Sequence, residues 1–507
     1  MNYEIGKVSY RLQKNVIYDV IQGIPQLQRS YPLKTIRLHS AWVKVFQSFK
    51  TGGYVELGKI VSILQNSLAD KIEFFLNGLV RNGFLEQQGT SAVSKYPLVS
   101  IIIPVRNRPE DIKACLESLG QLNYPQEKLE IIVVDDASSD HTLEVIKEFP
   151  VQVIGLKKHK HASYCRNLAA SRAKGEILAF IDSDCLADPQ WLLELIPSFK
   201  DQSIGAVGGF VDGFYEKSGL DRYEKIKSSL NMGAWPKRSK KSDPFFYLPS
   251  CNLLVRHERF ISLGGFKEKL VVGEDVDLCW RLRKKGLEIE YQPKGRIYHK
   301  HRNSIKAFCK RRFDYGTSEP MLHREHGEKI KRLYLPLLPV ALWSCFFLSV
   351  LLTSLPFLFL GSTVALFDVQ KKYLMVKKNT IRINYIQVVV STFRGYLAFA
   401  YHICAFVSRY YLFICFLLFP FISQVSIVII SMHLLAAITE YFFKTKSGIN
   451  FFIFVFYFSL EQISYQTGVW WGCFLNRCFK PVNPNIIYIN FSGDISEQKY
   501  VENFLAG

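Results

Sequence analysis

Three carboxylates follow an apolar run in the segment 179–191, which reads AFIDSDCLADPQW. Burying an unpaired carboxylate is costly, so a positive charge is expected opposite them. Asp182 and Asp184 flank a serine at the end of a strand, and alternate residues of an extended strand point the same way. Both can therefore face one hard divalent cation, which needs only one or two protein carboxylates when phosphates supply other ligands. The alternative is a turn with solvated acids.

Two further acids have simpler interpretations. Asp188 precedes Pro189, and its side chain can cap a helix over PQWLLELI. Asp135 and Asp136 close an earlier apolar strand, where a carboxylate can accept hydrogen bonds from a base or a ribose. Strand ends often carry acids, so that pair is weak on its own.

The segment HASYCRNLAASRAKGE places Arg166 and Asn167 in a helix just before the strand that ends at Asp182. There Arg166 could neutralise a diphosphate or hold an acidic neighbour. The alternative is an ordinary surface arginine.

A second acidic group, Glu274, Asp275 and Asp277, lies in VVGEDVDLCWRLRKKG before a helix. We expect Asp277 to cap that helix, which leaves Glu274 and Asp275 for chemistry. A carboxylate near a metal-bound diphosphate is a reasonable general base for an acceptor hydroxyl. Further on, His299 and His301 stand two residues apart, where a neutral imidazole could complete a metal shell. They could equally be surface histidines.

The elements that must position these residues alternate between strand and helix. LVSIIIPV, LEIIVVDD, VQVIGL and EILAFID have strand character, and RPEDIKACLESLG, SDHTLEVIKEF and ASYCRNLAASRAKG are helical segments between them. This rhythm predicts an α/β domain with a mostly parallel sheet covered by helices on both faces. Ligands bind at the carboxyl ends of the strands in such sheets, where the polar residues stand here.

The flanking blocks differ in composition. Residues 1–92 contain three short segments with helical spacing and Gly breaks, which predict a small winged-helix-like unit. Residues 333–475 are membrane-like: the long apolar stretch from Leu333 predicts a tight hairpin, and two further segments are candidate spans. The stretch around Arg382, Arg394 and Arg409 is interrupted by charge, which favours an interfacial or broken helix. A large hydrophobic soluble core is the alternative.

Charge and cysteine usage limit the class of partner. The chain has 507 residues and a formal net charge of +20, which predicts an anionic partner. The basic residues are dispersed and the last third is very apolar, so nucleic acid is not expected. Eleven cysteines without CxxC pairs indicate reduced cytoplasmic thiols. The first residues lack the apolar core of a signal peptide. The basic loop DVQKKYLMVKKNTIR is expected in the cytoplasm beside the preceding domain.

The middle of the chain resembles inverting family 2 glycosyltransferases with the GT-A fold, a Rossmann-like architecture. The motifs that carry the resemblance occur in family order over about 200 residues: SIIIPVRNRPEDIKACLESL, IIVVDDASSDHT, CRNLAA, EILAFIDSDC, NLLVRHERFISLGGF and GEDVDLCWRLRKKG. The resemblance implies that nucleotide-sugar-binding residues line the donor pocket. These are Pro104, Arg106, Asp136, Arg166 and Asp182.

The same resemblance implies the remaining roles. Asp184 would hold Mn²⁺ or Mg²⁺ with His299 as a further ligand, and Asp275 would be the catalytic base with Glu274 beside it. Asn252 and Gly265 would shape the acceptor side. Processive members carry a QxxRW sequence where this chain reads CKRRF, 309–313, which argues against a polymer-extruding synthase. Arg311 and Arg312 of that segment would contact the donor diphosphate or anchor lipid.

The flanks suggest a narrower resemblance. Residues 1–92 are similar to a PqqD-like peptide-recognition domain, and LEQISYQTGVWWGCF resembles the closing segment of mycofactocin-system glycosyltransferases. Winged helices also serve as plain interaction or DNA-binding modules. The expected domains are 1–92 (winged-helix, PqqD-like), 96–325 (GT-A), 333–475 (membrane helices) and 476–507 (C-terminal tail).

The resemblance thus implies a multi-pass membrane enzyme whose catalytic domain is cytoplasmic. It would move a sugar, such as glucose, from a nucleotide-sugar donor such as a UDP-sugar to a peptide-derived cofactor or its precursor. The first alternative is a lipid-linked or surface-glycan acceptor. The second is a non-catalytic membrane scaffold.

Overall fold

The computed structural model describes residues 8–21, 23–29, 34–49, 52–64, 69–89, 96–239, 243–301, 304–378, 384–414, 419–421, 423–444 and 448–489. The chain divides into two compact units. The first comprises Met1–Leu12, Thr51–Ser318 and Ser447–Tyr457, and the second comprises Gln13–Lys50, Glu319–Lys446 and Phe458–Gly507. The expected domain boundaries stay a prediction.

The described elements are numbered in chain order. The strands are β1 (Ser9–Leu12), β2 (Val16–Ile21), β3 (Ile24–Arg29), β4 (Lys34–Arg37), β5 (Val55–Glu56), β6 (Leu85–Gln88), β7 (Val99–Val105), β8 (Leu129–Asp135), β9 (Gln152–Gly155), β10 (Ile177–Ile181), β11 (Cys185–Ala187), β12 (Ile204–Gly213), β13 (Lys237–Arg238), β14 (Asn252–Arg256), β15 (Glu288–His299), β16 (Arg332–Pro336) and β17 (Asn485–Ile489). The helices are α1 (Val43–Phe49), α2 (Leu57–Leu64), α3 (Ala69–Arg81), α4 (Pro109–Leu119), α5 (Thr142–Lys147), α6 (His161–Ala170), α7 (Trp191–Leu195), α8 (Gly219–Lys227), α9 (His257–Ser262), α10 (Glu274–Lys284), α11 (Ile305–Glu325), α12 (Leu337–Leu351), α13 (Leu355–Lys378), α14 (Tyr385–Tyr411), α15 (Ser423–Thr439) and α16 (Phe451–Asn476).

The main sheet of the first unit is mixed. Six of its nine described strands run in one direction, and β11, β13 and β14 run against them. Parallel strands are therefore in the majority, but the antiparallel strands were not predicted. The strand order of this sheet is β11-β15-β12-β14-β10-β7-β8-β9, with β13 also paired to β15. The pairs joining β10, β7, β8 and β9 are parallel, as βαβ crossovers require, but β14 lies antiparallel between β10 and β12. A long connection leads from Gly213 to Asn252, so no short helical crossover imposes the direction of β14.

Helices cover both faces of this sheet, as the alternating sequence pattern predicts. On one face α4, α5 and α7 contribute buried residues such as Ile112, Ile146 and Trp191. On the other face α6, α9 and α10 contribute residues such as Cys165, Phe260 and Leu278. Strand β10 is buried along its whole length. This layered core fixes the strand ends from which the polar side chains project.

The predicted N-terminal helices are present as α1, α2 and α3, and strands accompany them. In the first unit β1 pairs with β5 and β6, and in the second unit β2, β3 and β4 form an antiparallel sheet. Val16 and Tyr18 are buried and lie two residues apart, which is the spacing of one face of a strand. The sequence analysis considered only helical spacing in this block and did not predict β2. The winged-helix assignment of this segment stays a prediction.

The apolar C-terminal block is helical. The first residues of the long apolar stretch, from Leu333 to Pro336, belong to β16, and the rest forms α12 and the first part of α13, two helices joined by three residues. A membrane-crossing hairpin there stays a prediction. In the described part of the chain, Tyr385–Tyr411 and Val425–Phe443 are long and apolar enough to cross a membrane. The expected break around Arg394 and Arg409 is wrong, because both residues lie in the unbroken α14, and the interfacial alternative stays a prediction. Arg382 lies outside the described residues.

Candidate active site

The turn after β10 places the first acidic pair. Cys185 N–H donates to Asp182 O at 3.0 Å, and β11 then begins at Cys185 and pairs antiparallel with β15. Asp184 is buried and Asp182 is partly exposed. Because Cys185 is opposite His299 in the pairing, the strand register brings the imidazole to the neighbourhood of Asp184.

Arg166 on α6 joins the two acidic groups that the sequence analysis singled out. Its side chain is buried, with Nη2 donating to Asp182 Oδ1 at 2.6 Å and Nη1 donating to Glu274 Oε1 at 2.9 Å. Burial alone would raise the pKa of Asp182, but Arg166 lowers it below its ordinary value. Acids about 90 residues apart in sequence therefore converge on one guanidinium, which holds acidic neighbours as the second sequence interpretation predicted.

Asp275 is held differently from Asp182. Gly273 precedes α10 in the left-handed region at φ 83°, and Glu274 and Asp275 open the helix. Asp275 accepts backbone N–H bonds from Ser250 at 3.1 Å and Val276 at 2.8 Å, and no basic side chain forms a salt bridge with it among the described residues. Burial, and then the charge of Glu274, raise its pKa to about 7. A carboxylate with that pKa can accept a proton near neutral pH.

Three side chains near the end of β10 offer ligand atoms to a cation. Asp184, Cys185 and His299 place a carboxylate oxygen, a thiol and an imidazole nitrogen within 4.8 Å of one another. Burial raises the pKa of Cys185 well above its ordinary value, so the thiol stays protonated and is a poor ligand for a hard cation. Asp184 Oδ1 and His299 Nε2 are 3.5 Å apart. One carboxylate and one imidazole suit Mn²⁺ or Mg²⁺ when phosphates and water complete the shell.

The residues expected at the nucleotide lie at the ends of β7 and β8. Asp136 is buried and accepts the backbone N–H bonds of Lys160 at 2.7 Å and His161 at 3.0 Å, and it lies 2.7 Å from His159 Nδ1. It therefore fixes the start of α6, the helix that carries Arg166. Pro104 is in β7, and Arg106 directly after that strand is exposed. Their nucleotide contacts stay a prediction.

Asn252, expected on the acceptor side, is fully buried at the start of β14. Its Nδ2 donates to Phe210 O at 3.0 Å and Gly295 O at 3.1 Å, and its Oδ1 accepts from Trp191 Nε1 at 2.8 Å. Between β12 and β15 the register passes from Gly209 opposite Gln292 to Phe210 opposite Arg296, so β15 bulges by three residues. Asn252 hydrogen-bonds two carbonyls at that bulge.

Gly265, also expected on the acceptor side, has φ 69°, and a Cβ there would lie 2.4 Å from Asn167 Oδ1. Asn167 in turn exchanges two hydrogen bonds with the backbone of Phe266, both at 2.8 Å. The loop before α10 is thereby fixed to α6. Contact of Gly265 with an acceptor stays a prediction.

The structure also shows the surroundings of four further charged residues that the sequence analysis interpreted. Asp277 does not cap α10, because it lies inside the helix and pairs with Arg281 at 2.7 Å. Asp188 accepts Gln190 N–H at 2.9 Å, in a turn just before α7. Arg312 is buried and pairs with Glu224 at 2.8 Å, and its contact with diphosphate or lipid stays a prediction. The side chain of Arg311 is exposed.

Sequence reasoning missed Arg108. Its Nη1 donates to Asp184 Oδ2 at 2.7 Å, whereas His299 Nε2 lies 3.5 Å from the same carboxylate. Pro109 is the sequence signal that could have indicated this position, because proline favours the first position of a helix. Arg108 is therefore the residue before α4, in the short connection that follows β7. Ser250 was also missed, and its Oγ donates to Glu274 Oε1 at 3.3 Å.

Residues 100–266 match the sequence family described as Glycosyl transferase family 2. The match to this domain is confined to residues 100–266, less than half of the chain. The mixed α/β sheet described above agrees with the GT-A-like fold expected of that domain. The matched residues include Asp136, Asp182 and Asp184, whereas Asp275 and His299 lie beyond them.

Curated relatives are similar to part of the chain. Pre-mycofactocin glycosyltransferase of Mycobacterium tuberculosis is 30% identical over 235 residues, 46% of this chain and 48% of that protein. Glycosyltransferase AglE of Haloferax volcanii is 32% identical over 203 residues, 39% of this chain and 65% of that protein. The chain thus spans about half to two thirds of the length of these relatives.

Among solved structures, the mannosyltransferase PcManGT from Pyrobaculum calidifontis is similar at 15% identity with a TM-score of 0.43. The alignment covers 75% of this chain and 88% of that one, which was solved in complex with GDP-Man and Mn²⁺.

Proposed function

We propose that this chain is a membrane-associated, metal-dependent, inverting glycosyltransferase that uses a nucleotide-sugar donor. The observation that carries the proposal is the Arg166 bridge. It joins the Asp182–Asp184 segment to the Glu274–Asp275 pair, and Asp275 has a pKa of about 7. A donor-binding edge and a proton acceptor are therefore adjacent, as a displacement at an anomeric carbon requires.

In the proposed reaction, Asp275 takes the proton of the acceptor hydroxyl while the acceptor oxygen bonds to the anomeric carbon. The bond from that carbon to the diphosphate oxygen breaks at the same time, and the nucleoside diphosphate leaves. Attack opposite the leaving group inverts the anomeric configuration. Mn²⁺ or Mg²⁺ held by Asp184 and His299 would supply positive charge for the departing diphosphate.

Arg311 supports the assignment of the diphosphate position. Partial loss of hydration would lower the pKa of this guanidinium, but Tyr315, Asp182 and Glu274 raise it above its ordinary value. An exposed arginine facing the same acids as Arg166 is suited to receive an anionic leaving group.

For the acceptor, we propose a peptide-derived cofactor or its precursor, with glucose as the first sugar to test. The likeness to the pre-mycofactocin glycosyltransferase supports this choice. Recognition of the peptide by residues 1–92 would be consistent with it.

A second candidate keeps the same chemistry with a membrane lipid or a lipid-linked glycan as acceptor. Two helices, Tyr385–Tyr411 and Val425–Phe443, have the length and hydropathy of membrane spans, which favours an acceptor at a bilayer. A multi-pass topology with the catalytic domain in the cytoplasm would serve either acceptor.

The test is transfer of labelled sugar by the purified full chain, with UDP-sugars and GDP-sugars offered in turn with Mn²⁺. Peptide-derived acceptors and extracted membrane lipids are supplied in separate reactions, and product NMR gives the anomeric configuration. Inverted product on the peptide-derived acceptor supports the first candidate, and product only on lipid supports the second. Neither transfer nor donor hydrolysis with any donor would contradict both and favour a non-catalytic scaffold.

A further inference from the structure

The carboxylate of Asp184 already has a cationic partner in this protein. Arg108 Nη1 donates to Asp184 Oδ2 at 2.7 Å and lies 3.2 Å from Asp111 Oδ2. Asp184 is buried, whereas the side chain of Arg108 is 26% exposed. The guanidinium therefore stands between the buried carboxylate and solvent.

A second cation extends this arrangement. Lys300 Nζ lies 2.8 Å from Asp111 Oδ1, and Lys300 N–H donates to Asp184 O at 2.9 Å. The Lys300 ammonium therefore pairs with Asp111, and its link to Asp184 is between backbone atoms. The charge of the Asp184 carboxylate is compensated by Arg108.

The backbone beneath Arg108 is fixed, so the side chain is the part that can change partner. Arg108 N–H donates to Thr142 Oγ1 at 2.9 Å. The preceding Asn107 has φ 50°, and its Oδ1 accepts Ser139 N–H at 2.8 Å. Asparagine tolerates this left-handed conformation better than most residues.

The two oxygens of Asp184 face different groups. Oδ2 is bound by Arg108, and Oδ1 faces His299 Nε2 at 3.5 Å. A divalent cation at Asp184 would meet the positive charge of Arg108 at short range, and like charges repel. A diphosphate offers the planar guanidinium two oxygens for a bidentate contact.

We propose that Arg108 is an exchangeable counter-ion: it neutralises Asp184 in the absence of donor and turns to the donor diphosphate when nucleotide and metal bind together. The inference rests on the proposed function and adds a regulation of the same site. Its consequence is positive coupling between nucleotide binding and metal binding. When the diphosphate pairs with Arg108, the guanidinium no longer repels a cation at Asp184. Metal alone then binds weakly, and Asp184 is never left as an uncompensated buried carboxylate.

The experiment measures Mn²⁺ binding to the purified full chain from the EPR signal of free Mn²⁺, alone and with UDP or GDP. The variants are Arg108→Gln, which removes the charge, and Arg108→Lys, which keeps it. We expect Arg108→Gln to bind Mn²⁺ alone about tenfold more tightly than the wild type does. Nucleoside diphosphate should increase the Mn²⁺ affinity of this variant about tenfold less than it increases that of the wild type. Arg108→Lys is expected to keep both wild-type properties within a few-fold.

Arg11→Gln is the matched control. Arg11 pairs with Glu86 at 2.6 Å with similar side-chain exposure, 33%, but on the β1–β6 pair. Its Mn²⁺ binding is expected to equal that of the wild type. Circular dichroism of each variant confirms that the chain is folded.

Each other outcome has a distinct meaning. Unchanged Mn²⁺ affinity and coupling in Arg108→Gln would overturn the exchange. Weaker Mn²⁺ binding by that variant would also overturn it, because Arg108 would then act as a fixed support that orients Asp184. If the wild type bound no Mn²⁺ with either nucleotide, the metal-dependent function itself would fail, and this inference with it.

Discussion

The first unit has two buried arginines that are each 3% exposed, Arg166 and Arg312. They differ in the number of acidic side chains around them. Arg312 pairs with Glu224 at 2.8 Å, and the nearby His301 has its pKa lowered by burial to about 3, so it adds no charge. Arg166 faces Asp182 and Glu274, with Asp275 next in the chain. The Arg312 pair is balanced, whereas the Arg166 group has more acids than its buried cation can compensate.

This difference separates a structural ion pair from a group suited to chemistry. A buried ion pair with equal charges, such as Arg312–Glu224, does not attract a further cation. Where carboxylates outnumber the buried cations, the pKa of one carboxylate rises and the group attracts positive charge. Asp275 is the member whose pKa rises, to about 7, because it is buried and lies beside the charge of Glu274. The comparison therefore predicts where substitutions change turnover and where they change only stability.

The largest effect is expected from Asp275→Asn, which removes the proton acceptor at the unbalanced group. Sugar transfer should fall about 10²–10⁴-fold while donor binding survives, because general-base catalysis contributes that much. Initial rates with labelled donor and calorimetric donor binding measure the two quantities. Asp188→Asn is the matched control near the same strand end, and its Oδ1 can still accept from Gln190 N–H. Near-normal turnover of Asp275→Asn would refute the assigned role.

The next effect compares the two arginines directly. Arg312→Met and Arg166→Met each leave a buried carboxylate without its cation, so each should lower the free energy of unfolding by about 3–5 kcal/mol. Denaturant unfolding of the purified chain measures this. In Arg166→Met alone, the pH midpoint of turnover should also move up, because Arg166 lowers the pKa of Asp275. An equal shift in Arg312→Met would remove the distinction.

The pH dependence of the wild type is a smaller and more direct test. Because Asp275 acts as a base in its deprotonated form and its raised pKa is about 7, kcat/KM should rise about tenfold per unit below pH 7 and level off above it. Rates from pH 5 to 9 with saturating Mn²⁺ give the curve. A profile that is flat between pH 5 and 7 would contradict the raised pKa.

The smallest effect is expected from Ser250→Ala. Its Oγ donates to Glu274 at 3.3 Å, so its loss should cost about 0.5–1.5 kcal/mol and lower turnover two- to tenfold. Ser229→Ala is the counterpart, because Ser229 Oγ accepts from Arg312 at 3.4 Å. That variant should leave turnover unchanged. A larger loss of turnover in Ser229→Ala than in Ser250→Ala would reverse the comparison.

Local patterns predicted most of the α/β segment. The runs LVSIIIPV and EILAFID became β7 and β10 within two residues at each end, because fully buried strands need continuous apolar runs bounded by polar residues. Pro109 began α4 as its fixed φ favours. The direction of β14 was not predictable, because antiparallel insertion depends on pairing with strands far away in sequence.

Site contacts were predictable only in part, for the same reason. The convergence of Asp182 and Glu274 was expected, since strand ends and the following helix share one edge. The Arg108–Asp184 bond joins residues 76 positions apart, and no local spacing indicates it. Asn252 looked like an acceptor contact, but its amide serves carbonyls that only the folded bulge brings together.

The three-residue bulge of β15 separates a tolerant part of the strand from an intolerant one. Residues 293–295 lie outside the pairing, because Gly209–Gln292 and Phe210–Arg296 are adjacent pairs, so a change of length there leaves the later register with β12 intact. Beyond Arg296 each residue has a partner, and His299 is opposite Gly213. An insertion or deletion of one residue between Arg296 and His299 would turn the imidazole to the other face of the sheet, away from Asp184, although neither ligand had been altered.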